Sequence, residues 1–250
     1  MTRGLVLRSS DYLDNDRIIT VLTEDKGKMV VTVKGAKSVR SRYLAGADQF
    51  CYSNFTFRKT KKYFHLAECD LIEDFYVLRE DIVKVALASY FCQIAEEMSP
   101  EGIEDTEFLK LTLNALYALA NDRCGINILK AAFEFKSAVL AGFMPELSHC
   151  AVCEGDTGEF FLDFKNGRLI CRDCLSTLDG SEIGEGNTFF PVTSAAVSAL
   201  RFIAASPIQR FICFRLHEDE IPAFCTLSEK YLTYHVEKYY PTLEFYNSLI

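Results

Sequence analysis

Two pairs of cysteines carry the sharpest chemical signal in the sequence. Cys150-Ala151-Val152-Cys153 and Cys171-Arg172-Asp173-Cys174 each leave two residues between their sulfurs, and 17 residues separate the pairs. A two-residue spacer lets both sulfurs of a pair turn inward from one tight knuckle, and two knuckles supply the four thiolates of a tetrahedral zinc site. Four thiolates complete the coordination shell. The spacing therefore predicts one structural zinc ion on Cys150, Cys153, Cys171 and Cys174, with no open position for a catalytic water. Such an ion contributes folding free energy, roughly 10–16 kcal/mol of apparent binding in small zinc peptides. Disulfide pairing is the rival chemistry. The opening residues lack the long apolar stretch of a secretory leader, so a reducing, cytoplasmic setting is expected, which disfavours it. A thioredoxin-like redox site needs only one such pair, and it needs a βαβ context that this stretch lacks. His149 adjoins the cluster and is read as a neighbour of four sufficient ligands. The other cysteines, Cys51, Cys69, Cys92, Cys124, Cys213 and Cys225, stand in apolar stretches and are expected to be buried free thiols.

Charge gives the second signal. The formal net charge is −8, which discourages a nucleic-acid partner until its distribution is considered. From Lys26 to His65 there are ten basic residues against one acid, Asp48, a net +9; the other 210 residues hold 17 basic and 34 acidic ones, a net −17. One region is thus suited to meet a polyanion and the rest to repel it. The cations expected to contact phosphates are Lys34, Lys37, Arg40 and Arg42 on a strand end and loop, with Arg58, Lys59, Lys61 and Lys62 on a hairpin tip. Tyr43, Phe50, Tyr52, Phe55, Phe57, Tyr63 and Phe64 interleave with them. Rings among cations grip single strands by stacking on bases, yet strand aromatics are commonly core, so the cations carry the expectation ahead of the rings.

The elements that must position these residues change character along the chain. Leu5–Leu7, Arg17–Thr23, Lys28–Val33, Gln49–Phe57 and Tyr63–Ile72 read as strands, the second and third joined at Glu24-Asp25-Lys26-Gly27. Five short strands in about 75 residues fit a small barrel, in which closure removes exposed edges. From residue 80 the apolar period becomes helical: Glu80–Met98, Phe108–Ala120 after a cap at Asp105 or Thr106, and Asn127–Ala141 ended by Gly142 and Pro145. Thr193 caps a helix through Ile203, and Ile221–Tyr239 is another with Pro222 near its start. The cysteine pairs interrupt this run. Between them Asn166-Gly167 reads as a two-residue hairpin turn that brings the second pair back to face the first. The expected class is α+β: a five-stranded barrel over residues 1–79, then a mainly helical domain over 80–250 with a zinc hairpin insert at about 147–182.

Catalytic signatures are missing from the sequence. It has no phosphate-binding loop, no dinucleotide fingerprint and no nucleophile elbow. His217-Glu218 lacks the second histidine of a zinc protease, and Asp11, Asp14 and Asp16 lack the glycine that a calcium loop needs for its sharp turn. No run of 18 or more apolar residues predicts a transmembrane helix. A non-enzymatic binding protein is the expectation.

The order of these residues resembles the bacterial RecO recombination mediator family. Leu5-Val6-Leu7-Arg8, Asp11-Tyr12, Asp16-Arg17-Ile18, Leu22-Thr23 and Gly27-Lys28 are similar to that family's opening. Lys34-Gly35-Ala36-Lys37 followed by Arg40-Ser41-Arg42 is similar to its next motif, and a four-cysteine insert is typical of many members. The resemblance implies an OB-fold at the N-terminus and a helical domain carrying the zinc insert. It further implies binding of single- and double-stranded DNA, annealing of complementary strands, and loading of the RecA recombinase onto DNA covered by single-strand-binding protein, together with RecR. The implied setting is the cytoplasm, with association to the nucleoid when DNA is bound. A different class remains open on the same residues: an RNA-binding protein of transcription or translation, built from a zinc ribbon and an OB-fold.

Overall fold

The computed structural model describes residues 1–38, 41, 43, 45–60, 63–178 and 188–250. Contacts divide the chain into two compact units, one of residues 1–123 with 240–250, the other of residues 124–239. That division differs from one drawn by element type, because the first unit includes helices as well as the strands.

The first unit is organised by five strands, β1 (Thr2–Tyr12), β2 (Asp16–Thr23), β3 (Gly27–Val33), β4 (Tyr52–Thr60) and β5 (Tyr63–Glu73). They close into a barrel in the order β1-β2-β3-β5-β4, with β4 returning to β1 and β3 running parallel to β5. This is the strand order of an OB-type barrel. Alternation explains β3: Met29, Val31 and Val33 point into the core with Val6, Ile19, Val21 and Phe55, while Lys28, Val30 and Thr32 point out. The strand expected from Gln49 begins only at Tyr52. Phe50 takes a left-handed φ of 71°, and residues 48–51 turn so that Phe50 N–H donates to Val6 O and Val6 N–H donates to Cys51 O, each at 2.9 Å.

Helices α1 (Ile82–Met98) and α2 (Thr106–Ala120) complete this unit with a short C-terminal helix. Asp81 caps α1, its carboxylate accepting the Val83 and Lys84 N–H groups, and Asp105 caps α2, its carboxylate accepting the Phe108 N–H. Tyr240 packs edge-on to Tyr90, with ring centroids 5.5 Å apart, and Thr242 Oγ1 bonds Gln93 Oε1 at 2.6 Å.

The second unit opens with α3 (Ile126–Leu140), then β6 (Glu146–Cys150), β7 (Phe160–Asp163), β8 (Arg168–Cys171), the one-turn α4 (Arg172–Leu175) and β9 (Phe189–Val192). It continues with α5 (Ser194–Ala205), capped by Thr193, and α6 (Ile221–Val236). The expected hairpin is part of a four-stranded sheet ordered β6-β8-β7-β9, whose outer strands are too short to announce themselves by alternation. Its turn is longer than the predicted two residues. Asp163 pairs with Arg168, leaving residues 164–167 as the loop. Asp163 receives the Asn166 backbone and side-chain N–H groups, and Gly167 supplies the left-handed φ of 60°.

Pro222 lies in the first turn of α6, where its missing N–H interrupts nothing. The helix stops at Val236, short of the expected Tyr239, because Glu237 adopts φ 51°. The final helix α7 (Pro241–Asn247), which belongs to the first unit, was not anticipated. Among the described residues no helix is long and apolar enough to cross a membrane.

Candidate functional site: a thiol cluster and a basic groove

The thiol cluster is assembled by two strand ends, the turn after the first and one helical turn. Cys150 closes β6 and is buried, and Cys153 is exposed in the turn that follows. Cys150 N–H donates to Gly155 O at 2.8 Å and Glu154 N–H to Cys150 O at 3.0 Å, so the first knuckle folds back on itself. Parallel pairing of β6 with β8 sets Cys150 opposite Leu169, and Ala151 N–H donates to Leu169 O. Cys171 ends β8 and caps α4, whose single turn carries Cys174.

The four sulfurs lie within 4.8 Å of one another, and Cys153 and Cys171 stand 3.8 Å apart. A tetrahedron of thiolates about 2.3 Å from a central ion has edges of about 3.8 Å, so the cluster has the dimensions of a four-thiolate metal site. Cys171 N–H points at Cys150 Sγ from 3.3 Å. Burial works against ionising Cys150, but backbone N–H groups of Cys153, Cys171 and Val152 outweigh it and bring the thiol down to about 6. Cys174 moves the other way, to about 12, first through its hydrogen bond to Cys171 and then through desolvation. One thiol gives up its proton while another keeps it, as like charges crowded together require; a cation at the centre is what allows all four to ionise together. The four cysteines are thus close enough, and suitably disposed, to bind a metal ion.

Not all the remaining cysteines are buried. Cys51 and Cys92 are, Cys69, Cys124 and Cys225 are partly so, and Cys213 is exposed, which corrects the expectation for it. Burial holds the Cys51, Cys69, Cys124 and Cys225 thiols above their ordinary value, leaving them protonated near neutrality.

Described cations of the basic segment stand on the outer surface of the barrel. A groove of about 790 Å³ runs across β2, β3 and the start of β5, with Tyr12, Lys26, Lys28, Lys34, Tyr63 and His65 on its walls. A second groove of about 600 Å³ adjoins it through Lys34 and His65 and contains Arg58 and Thr60. Lys34, Arg58 and Lys59 are exposed, and among the described residues Lys34 and Arg58 make no ion pair. Lys59 stands 5.5 Å over the Phe64 ring. Lys37 is committed locally instead: its ammonium pairs with Asp11 at 3.1 Å and donates to Leu13 O at 3.1 Å, and it lines neither groove. Arg40, Arg42, Lys61 and Lys62 lie outside the described residues.

Most of the interleaved rings belong to the core. Tyr43, Phe50 and Phe55 are buried, Phe57 and Phe64 pack against the same cluster, and the Tyr52 hydroxyl donates to Glu24 at 2.8 Å. Tyr63 is the exception at 68% exposure, joined in the groove by Tyr12 at 44%. Lys26, Lys28 and Tyr12 stand outside the set of contacts expected from the sequence. The alternation of β3, which turns Lys28, Val30 and Thr32 outward together, was the signal that could have found that face.

A model described as the N-terminal part of recombination protein O matches residues 1–75, and one described as its C-terminal part matches residues 79–244. The DNA repair protein RecO of Acetivibrio thermocellus is 30% identical over 252 residues, covering 99% of this chain and 96% of its own length. That of Clostridium acetobutylicum is 32% identical, covering 87% and 85%, and that of Bacillus pumilus 30% identical, covering 70% and 68%. With both of its parts matched in order along nearly the whole length, the chain belongs to the recombination protein O (RecO) family.

Proposed function

We propose that this chain is a non-enzymatic mediator of DNA repair and recombination. It binds single- and double-stranded DNA through the barrel of residues 1–79, anneals complementary strands, and helps load RecA onto DNA coated with single-strand-binding protein, acting with RecR in the cytoplasm and at the nucleoid. The observation that carries this reading is the paired grooves, where exposed cations stand beside exposed Tyr63 on one face of a closed barrel. Cations on phosphates screen the repulsion between two strands, and rings that stack on bases leave their pairing edges free. Annealing asks for no covalent step, only for this screening.

One zinc ion on Cys150, Cys153, Cys171 and Cys174 is the metal proposed. Soft thiolates in a tetrahedron of this size favour zinc, and four of them leave it no open position. Its role is to hold the β6–β9 sheet, not to act on a substrate.

Titrating a labelled single-stranded oligonucleotide by fluorescence anisotropy across a salt series tests the reading. If five cations contact phosphates, log affinity falls against log salt with a slope of about −3.5. Preference for folded RNA over single-stranded DNA would favour the RNA-binding class, and no binding at low salt would overturn the nucleic-acid reading.

A further inference from the structure

We infer that the loop joining α1 to α2 closes one end of the larger groove and that Glu101 sets where a bound single strand stops. This rests on the groove being the nucleic-acid site. Among the described residues β3 pairs with β5 only at Val31 with Phe64 and Thr32 with His65. Nearer the start of β3 its free edge is taken by the loop: Lys28 N–H donates to Pro100 O at 3.3 Å, Gly102 N–H donates to Lys28 O at 3.2 Å, and Lys28 and Glu101 form a parallel bridge. The loop is seated closely. Gly27 adopts φ +62°, and a Cβ there would come within 2.0 Å of Ile103 O, so only glycine lets the two backbones meet.

This seating puts an exposed carboxylate, Glu101, into the wall of a groove whose other charged residues are Lys26, Lys28, Lys34 and Asp16, the last with its carboxylate accepting the Gly35 N–H. Lys28 does not neutralise it, because its ammonium donates to Glu96 O, and among the described residues Glu101 makes no ion pair. Glu104, exposed on the same loop, lies outside the groove wall. A phosphate chain carried past Lys28 would meet Glu101, and one carried the other way meets Lys34 and then Arg58. The strand therefore continues over Lys34 and ends at Glu101, which leaves the nucleotides beyond it ungripped and open to a complementary strand.

The test compares Glu101→Lys with Glu104→Lys, the same charge change on the same loop, in the full-length protein. Glu101→Gln is the neutral intermediate, and circular dichroism verifies the fold. The probe is a labelled thymidine oligonucleotide series of increasing length. Glu101→Lys is expected to tighten binding severalfold, to steepen the salt slope by about 0.7, the contribution of one added phosphate contact, and to lengthen the shortest oligonucleotide that binds fully. Glu104→Lys should leave slope and length unchanged. Equal shifts in both variants, or none in either while the unmodified protein binds, would overturn the stop and leave the groove standing as the site. If the unmodified protein fails to bind at low salt, the nucleic-acid reading itself fails.

Discussion

The barrel and the cysteine-bearing sheet solve one problem, how to terminate a small sheet, by different physical means. β1–β5 close on themselves, with the loop between α1 and α2 taking the start of the β3 edge, and the outer face is left free to carry Lys26, Lys34 and Arg58. β6–β9 do not close; their sheet ends at two short strands and is pinned where β6, β8 and α4 bring four sulfurs together. In the first region side-chain chemistry is spare and faces solvent. In the second the four thiols face one another, close enough to share a metal ion. On the proposed reading, clustered charge marks a binding surface in one half of the sequence, whereas clustered thiols mark a structural joint in the other.

Removing the joint is the strongest way to break the comparison. Chelation or Cys150→Ser should abolish protection from hydrogen exchange in β6–β8 and leave β1–β3 protected, because the ion contributes up to about 10–16 kcal/mol of apparent binding in comparable small sites. Equal loss in both regions would show that the barrel also depends on the metal. Next in size, Lys34→Glu with Arg58→Glu should cut the salt slope by about 1.4, two contacts' worth, while denaturation midpoints stay put. Lys37→Glu should do less, since Lys37 already has Asp11 as its partner. Gly27→Ala should destabilise the first unit by about 1–3 kcal/mol, the cost of a left-handed residue, and would also dislodge the Glu101 loop.

The smallest expected effect concerns pH, and it belongs to the second unit. His235 lies against Phe143 and Tyr231, with centroids 4.6 and 4.5 Å away, and burial lowers its affinity for a proton. Below about pH 6.5, the ordinary histidine value, the unfolded chain therefore binds more protons than the folded one, and stability declines with acidification. Above that value the contribution is fully present. His235→Phe should flatten this slope in denaturant titrations between pH 5 and 7.

The legibility of these features followed the range of the interactions behind them. Alternation along β3 and the caps at Asp105 and Thr193 are local, and they could be read directly from the sequence. The cysteine spacing identified which sulfurs gather, but not that β6 joins β8 in parallel to gather them. Phe50 escaped because a left-handed phenylalanine carries no composition signal, and β9 because four residues are too few for a period. α7 begins with Pro241 at its first turn, a start signal overlooked beside the longer stripe that precedes it. The pairing of Lys37 with Asp11 and the seating of Ile103 on Gly27 are contacts between distant residues, and no local pattern announces them.

Hydrogen exchange of the metal-loaded protein, with and without a saturating single-stranded oligonucleotide, tests the division of labour most directly. Slowed exchange in β3 and β5, with the segment from Cys150 to Cys174 unchanged, is the expected result. Protection appearing around the cysteine knuckles, with β3 and β5 unaffected, would contradict it and move the nucleic-acid site to the other unit.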